Sequence, residues 1–524
     1  MSCIENNQKR VGELYMEINK LGVSALQEQL VICETEKRYA DLLVYVNLLL
    51  LKDPNNSDLL LYKLKAHEGL GTLNDHLSTI QKYINVKSTD ATGFLLLHQV
   101  YLAQNYLAGA IIALLYALSI EPSNEECLQV LINLIQQVDP NYTQVKINIM
   151  TTERVGHLAC EVEPLLRKTQ DEKHCLYLFL SAKHNVANQY LYSLIKSHSH
   201  VIEDSFLYNL YVSRPTLLDD YFFAEYPYDV NSTSRGVSPI EVNSKGYPNL
   251  VNIYHNYPSV IKIPKSDSAL AWQLLSIHGI TPDDKIVCLH LRDSHYLAQK
   301  FPSNDFTYHD YRDADINTYQ AAVEHLTEHG YKVIRIGSNT NQVLAQAPEN
   351  YFDFCVDRDA KHGDLLEVFL LAICDFLIGT SSGPASIASI FDTPILSVNT
   401  APFHPVYSRY SRMLPKYLFH QSEPVNFLAV CKGKTLAVDK NKQLLFAMSG
   451  EELAEYGYEY VANDEDDILA AVKEFRAQMH GKEFKPEITP AQKVYINKLP
   501  EDFIYKNADS IVTNSFLEKH PNLF

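Results

Sequence analysis

Apolar residues recur at helical spacing through most of the first 140 positions, which hold few Gly or Pro. Pro54 in KDPNN, Ser88 in VKSTD and Pro122 in IEPSN follow one another at intervals of 34 residues. That interval is the period of tetratricopeptide (TPR) repeats, helical hairpins that end in a Pro-containing turn and bury their apolar faces only by stacking. Ala110, Ala113 and Ala117 lie where packed antiparallel helices approach closely, whereas His76 breaks this pattern in the second repeat. A plain helical bundle with coincidental spacing is the simpler alternative.

The texture changes at Asp139-Pro140. Beyond it, apolar runs of strand length alternate with helical patterns: strand 145–150, helix 158–168, strand 175–182, helix 188–197. A Tyr/Pro-rich stretch with little period covers 222–254. Helix 268–278 and strand 286–291 follow, then helix 316–329, strand 332–336, helix 364–374, strand 376–378, helix 384–391 and strand 394–398. This alternation predicts an α/β architecture with parallel, doubly wound sheets covered by helices on both faces. The expected organisation is TPR-like repeats over 1–140, one α/β block over 141–275 and a second over 276–425. The two blocks should face each other across a ligand cleft at the carboxyl ends of their strands. Residues 426–524, with an acidic helix at 465–478, form an extension packed on these blocks.

Composition narrows the function. Asp and Glu number 63 against 45 Lys and Arg, a net charge of −18, which argues against the clustered positive surface that nucleic acid or a charged membrane requires but leaves room for a small, focused positive pocket for a nucleotide. None of the nine cysteines forms a CxxC pair, and several lie in apolar runs, the pattern of reduced thiols in a cytoplasmic protein. The start MSCIENNQKR has no apolar signal core, and the longest apolar run, 106–118, is too short to cross a bilayer.

Three loops follow predicted strands. In TTERVGH (151–157), Gly156 permits close backbone approach, and Glu153 and His157 are the groups able to take a proton from an acceptor hydroxyl. Arg154 could hold a phosphate or a carboxylate; alternatively His157 only packs locally. In HLRDSHY (290–296), His290 and Arg292 alternate with Leu289 and Leu291 and share a face. A guanidinium there forks onto two phosphate oxygens and neutralises a departing diphosphate without a metal ion. The plainer reading is an Arg292–Asp293 surface pair beside a core histidine. In GTSSGPAS (379–386), Thr380, Ser381, Ser382, Gly383 and Ser386 bring hydroxyls and free amides to a helix start, which suits a diphosphate, although an ordinary Ser-capped helix fits the same letters. No Walker or GxGxxG pattern is present. Between these loops Tyr311 and Arg312 could face the cleft, and Asp315 reads as a helix cap. Asp357-Arg358-Asp359 has the form of a manganese motif but reads as a solvated turn, and no His/Cys cluster has zinc spacing.

The blocks VCLHLRDSHYL, HDYRDADINTY, GYKVIRIGS, FLIGTSSGPASIASIFDTPILSVN and SFLEKHPNLF together resemble a family of bacterial glycosyltransferases often found with TPR-like segments and related to the H-x-R fucosyltransferases. The resemblance covers about 145–420 plus the tail. It implies a GT-B pair of Rossmann-like domains and a metal-independent, inverting enzyme with a nucleotide-sugar co-substrate and no cofactor. By analogy Arg292 contacts the donor diphosphate, His290 supports it, and Gly337 and the turn at Thr380–Ser386 bind phosphate or ribose. The turn at 379–384 also resembles that of heptosyltransferases, which use another donor. The fucosyltransferases often have a basic or small residue after H-x-R; here it is Asp293, so a guanosine-diphosphate fucose donor is not carried over. Asp293 becomes a catalytic carboxylate or an orienting partner of Arg292. The acceptor is expected to be a protein, such as flagellin or another surface protein docked by the repeats, or a surface polysaccharide. A non-catalytic TPR scaffold and a nucleotide-sugar epimerase are the alternatives.

Overall fold

The computed structural model describes residues 22–182, 185–213, 253–295, 299, 307–338, 340, 342–403, 408–431, 450–501, 506 and 510–524. Most of the Tyr/Pro-rich stretch 222–254 and Tyr296 lie outside the described residues. Those residues divide into two compact units: one lies within 1–147, 173–180 and 204–224, the other within 148–172, 181–203 and 225–524.

Among the described residues, seven helices open the first unit: α1 (Val23–Thr35), α2 (Tyr39–Lys52), α3 (Ser57–Leu70), α4 (Leu73–Val86), α5 (Ala91–Ala103), α6 (Leu107–Ile120) and α7 (Glu125–Val138). Odd-numbered helices start at 23, 57, 91 and 125 and even-numbered ones at 39, 73 and 107, a step of 34 residues in both series. The turn inside each hairpin carries one residue in left-handed backbone, Lys37 (φ 55°), Gly71 (φ 68°) and Asn105 (φ 55°), again 34 apart. Asn56, Asp90 and Asn124 cap α3, α5 and α7 by accepting the N–H of Leu59 (3.1 Å), Thr92 (2.9 Å) and Cys127 (2.9 Å). Each such cap is worth about 1 kcal/mol. The period is therefore written in the caps and turns as well as in the Pro positions, and the repeats are TPR-like. Helix α4 forms despite His76, which is half-buried. Every residue of α6 from Gly109 to Leu118 is buried, as a helix that is apolar on all faces requires.

The chain continues through β1 (Gln144–Ile149), α8 (Val155–Cys160), α9 (Glu163–Lys168), β2 (Cys175–Ser181), α10 (Gln189–His198), β3 (His200–Glu203) and α11 (Ser205–Ser213). The strands form a three-stranded sheet in the order β1-β2-β3. The helix expected at 158–168 is in fact two. Pro164 stands at the first turn of α9, where its missing N–H costs nothing, whereas inside one continuous helix it would clash with the preceding turn.

The second unit is built on α12 (Lys265–Ser276), β4 (Lys285–His290), α13 (Gln320–Glu328), β5 (Tyr331–Arg335), β6 (Tyr351–Asp353), α14 (Gly363–Ile373), β7 (Phe376–Gly379), α15 (Gly383–Ile390), β8 (Ile395–Thr400) and β9 (Ser411–Pro415). Residues 417–524 add β10 (Tyr417–His420), β11 (Glu423–Pro424), α16 (Phe427–Cys431), α17 (Gly450–Glu455), β12 (Tyr458–Val461), α18 (Glu465–Ala477), β13 (Met479–His480), β14 (Glu483–Phe484), α19 (Pro490–Lys498), β15 (Ile511–Val512) and α20 (Asn514–Lys519). Seven strands make one parallel sheet in the order β15-β9-β8-β7-β4-β5-β6. From β4 the chain steps outward to β5 and β6, returns to lay β7 on the other side of β4, and continues outward through β8 and β9. The strand order therefore reverses between β4 and β7. In an open α/β sheet the crevice beyond the carboxyl ends of such a pair is where ligands bind. Here those ends are His290 and Gly379, which face each other in register.

Candidate functional site

All the candidate site residues named from the sequence belong to the second unit. The loops after β4 and β7 are stitched together beyond the switch point. Thr380 N donates to His290 O (3.2 Å), and Arg292 N donates to Thr380 Oγ1 (2.9 Å). Arg292 is buried, 8% exposed, and its Nη1 reaches Asp313 Oδ1 at 3.3 Å. The expected alternative, a surface pair with Asp293, does not form. The aspartate that Arg292 uses comes instead from the 3-10 segment Thr307–Arg312 and the turn after it. Asp313 Oδ2 accepts the N–H of Ser294 (3.0 Å), and burial, opposed by Arg292, holds its carboxyl above the usual range.

Two further cations close on the same place. Arg312 donates through Nη2 to Ser381 O. Burial, with the Arg292 charge beside it, pushes the Arg312 guanidinium down to about 10. Lys416, just after β9, is 4% exposed, and its Nζ donates to Tyr311 O (2.9 Å) and Asp313 O (2.7 Å). Burial lowers its ammonium to about 8. Three buried or half-buried cations thus gather around one carboxylate. Arg312 Nε and Ser381 Oγ are also buried without a hydrogen-bond partner among the described residues. A buried donor left unmade costs roughly 1–3 kcal/mol. An excess of positive charge with open donors is the chemistry of an anion cup.

Ser382 precedes α15 but makes no cap with its side chain; its Oγ donates back to Thr380 O (3.1 Å). The first turn of α15 meets the loop after β1. A Cβ on Gly383 would lie 2.3 Å from Val155 Cγ1 and 3.0 Å from Gly156 N, and one on Gly156 would lie 3.2 Å from Gly383 Cα and 3.8 Å from Ser386 Oγ. Only two glycines let these backbones approach. Arg154, exposed, acts electrostatically on Arg312, so this loop belongs to the same cluster. In it His157 Nδ1 pairs with Glu161 Oε1 (2.8 Å), and Glu161 Oε2 accepts Thr151 N (2.8 Å). His157 is half-buried and Glu153 is exposed.

Other predicted residues have structural duties. His290 Nδ1 donates to Ile336 O (3.2 Å), and burial pushes its imidazole down to about 4, so the ring is neutral and supports the strand end. Gly337 has φ +131°, and a Cβ there would lie 3.3 Å from His290 Nδ1 and 3.1 Å from Cys355 Sγ. It lets the chain pass over the His290 ring. Both Asp293 oxygens are occupied, Oδ1 by His295 N (2.8 Å) and Oδ2 by Thr340 Oγ1 (2.8 Å). Tyr311 stacks on Tyr460 with centroids 5.3 Å apart. Asp315 caps the short 3-10 turn Ile316–Tyr319 through Asn317 N. Asp359 Oδ1 accepts the N–H groups of Lys361 (2.8 Å) and His362 (2.6 Å), and Arg358 turns to Asp364 and Glu367. No group of three or more His, Cys, Asp or Glu side chains suited to a metal occurs among the described residues, and none of their helices is long and apolar enough to cross a membrane.

Neither Lys416 nor Asp313 is among the site residues that the sequence singles out. The available signal was a single Lys flanked by Leu414, Pro415, Tyr417 and Leu418, the pattern of a buried cation.

No protein-family model matches the chain, and no curated protein sequence does. Among solved structures, a glycosyl transferase family 9 protein of Veillonella parvula is 11% identical over 63% of this chain and 98% of its own, with a TM-score of 0.36. The ADP-heptose LPS heptosyltransferase II of E. coli is 13% identical over 60% of this chain and 98% of its own, TM-score 0.31. A mutant of the Thermobaculum terrenum O-GlcNAc transferase is 12% identical over 93% of this chain and 98% of its own, TM-score 0.23. At these identities and scores the likenesses carry no statement about activity.

Proposed function

We propose that the chain is a metal-independent, inverting glycosyltransferase of the GT-B type that moves a sugar from a nucleotide-sugar donor to a protein or surface-polysaccharide acceptor. The observation that carries this reading is the cluster of Arg292, Arg312 and Lys416 around Asp313, tied to the turn 380–386 at the β4/β7 switch point through Arg292 and Arg312, with Arg312 Nε and Ser381 Oγ left open among the described residues. The family resemblance of the sequence blocks supplies the sugar.

In this mechanism an acceptor hydroxyl attacks the anomeric carbon as the bond from that carbon to the diphosphate oxygen breaks. The electron pair leaves on the diphosphate, and the three cations and the turn meet the charge that develops there, the work a divalent ion would otherwise do. The hydroxyl proton goes to His157 Nε2, while the Glu161 carboxylate on Nδ1 orients the ring and stabilises the imidazolium. Glu153 is the other candidate base. Attack from the face opposite the leaving group inverts the anomeric centre. Asp293, with both oxygens engaged, orients the loop. The TPR-like helices dock the acceptor, a flagellin-like or other surface protein where the acceptor is a protein.

A thermal-shift screen of nucleoside diphosphates and their sugars, with and without manganese, tests the reading. Binding to the folded state alone raises the melting temperature by mass action. At least one nucleoside diphosphate should stabilise the protein in EDTA; stabilisation only with manganese, or none at all, overturns the metal-independent site. Conversion of the donor without any acceptor would point to an epimerase.

A further inference from the structure

Arg167, on α9, is charged yet 0% exposed. Its guanidinium donates five hydrogen bonds: Nε to Glu163 Oε1 (2.6 Å), Nη1 to Tyr257 O and Asp392 Oδ1 (both 2.9 Å), and Nη2 to Ser389 O (3.0 Å) and Ile390 O (3.1 Å). The Tyr254 ring lies against it, 4.7 Å from the guanidinium carbon to the centroid.

Ser389 and Ile390 are the last residues of α15. Carbonyls at a helix C-terminus lack partners within the helix and carry the negative end of its dipole, so a cation is favoured there. Arg167 therefore holds the far end of the helix whose first turn forms the phosphate loop. The near end is held by the Gly156–Gly383 contact. Both grips come from residues 148–172, which share a compact unit with α15. That same segment carries His157. A buried ion pair contributes little net stability compared with well-packed apolar side chains. What this one provides is geometry: two of the five bonds, to the Ser389 and Ile390 carbonyls, and a third to Asp392 just beyond them hold the end of a helix only eight residues long, while the Glu163 and Tyr257 bonds hold the guanidinium itself.

We infer that Arg167 is a positioning residue that locks the turn 380–386 to the segment bearing His157, so that the donor and acceptor sides are assembled before any ligand arrives. The inference rests on the proposed function only for the identity of the ligands; the mechanical coupling stands on the contacts.

Hydrogen–deuterium exchange of the full chain tests it without ligand. In Arg167→Met, amides of 380–386 should exchange about tenfold faster than in the wild type, the equivalent of losing one net hydrogen bond. Arg167→Lys, which can still donate to the Ser389 and Ile390 carbonyls, should recover part of the protection. The affinity for inorganic pyrophosphate should fall by a similar factor, measured well below each variant's melting temperature. If exchange rises around 389–393 while 380–386 keeps wild-type rates, the coupling is wrong. Should Arg167→Met fail to fold, Asp392→Asn, which keeps the acceptor oxygen but removes the charge from one of the five bonds, faces the same comparison with a smaller expected effect. Failure of the wild type to bind pyrophosphate would overturn the anion cup, while the exchange rates would still decide the role of Arg167.

Discussion

Arg292 and Asp313 face each other at 3.3 Å across two loops, and among the described residues this aspartate is the one carboxylate ion-paired with a cation of the cup. Because Arg312 and Lys416 add charge that Asp313 cannot cancel, Arg292 is held in place and still available to an anion. Arg292→Ala should fold and lose roughly 10²–10³ in turnover, as removal of a preorganised donor does. Arg292→Lys should remain severely impaired, because an ammonium cannot fork onto two oxygens. Wild-type turnover by either variant at saturating donor would remove Arg292 from the mechanism.

The pH dependence of ligand binding should report Lys416. Burial lowers its ammonium to about 8 from an ordinary 10.5, so the charge is present below about pH 8 and is lost as the pH rises through it. An anion binds the charged form. Affinity for the nucleoside diphosphate should therefore be highest below pH 8 and fall by up to tenfold per unit above it. Lys416→Arg should flatten this limb, and calorimetric titrations from pH 6.5 to 9.5 would show whether it does.

His290 makes a claim about stability. Its folded imidazole is pushed to about 4 from 6.5, so between these values the unfolded chain binds a proton that the native protein does not. The stabilisation is complete above about pH 6.5 and is lost as the pH falls through about 4, a span worth about 3 kcal/mol. His290→Asn keeps a donor for Ile336 O and removes the titration. Urea unfolding at pH 4.5 and 7.5 should show a smaller difference for the variant than for the wild type.

Gly383→Ala should destabilise the protein by about 1–3 kcal/mol, the usual cost of forcing an atom into a filled space. The added Cβ meets Val155 Cγ1 at 2.3 Å, so Val155→Ala should rescue part of the loss. The residual cost reflects the 3.0 Å approach to Gly156 N, which no side-chain change relieves. Equal melting temperatures for Gly383→Ala with and without Val155→Ala would contradict this packing.

Particular residues explain what could be read ahead of the fold. β4 and β7 are short apolar runs ending in polar or Gly-rich loops, and the TPR-like step of 34 residues shows in Pro54, Ser88 and Pro122, so both stand out in the sequence. β15 was invisible because two residues, Ile511 and Val512, have no period to detect. β9 is hidden because its five residues open on Ser411 and a charged residue, Arg412, both of which the fold buries. Loop positions after β4 and β7 pointed to the anion cup, yet their partners did not follow from the letters. Lys416 is buried by carbonyls of Tyr311 and Asp313, about a hundred positions earlier, and Arg292 chooses Asp313 over its neighbour Asp293 for the same reason. Short-range patterns find strand ends; long-range contacts decide which side chains share them.

The interleaving of the two units also orders events during synthesis. The chain passes back and forth between them, so neither is one contiguous stretch. The repeat hairpins need only their neighbours and can pack as they leave the ribosome. The first unit nevertheless waits for its share of β2 and for α11, by which time two pieces of the second unit have already emerged. Those pieces must then stay soluble until the parallel sheet forms, whose edge strand β15 is translated after all its other strands. Newly made chains should depend on chaperones most heavily over this interval, between the end of the repeats and the closing of the sheet.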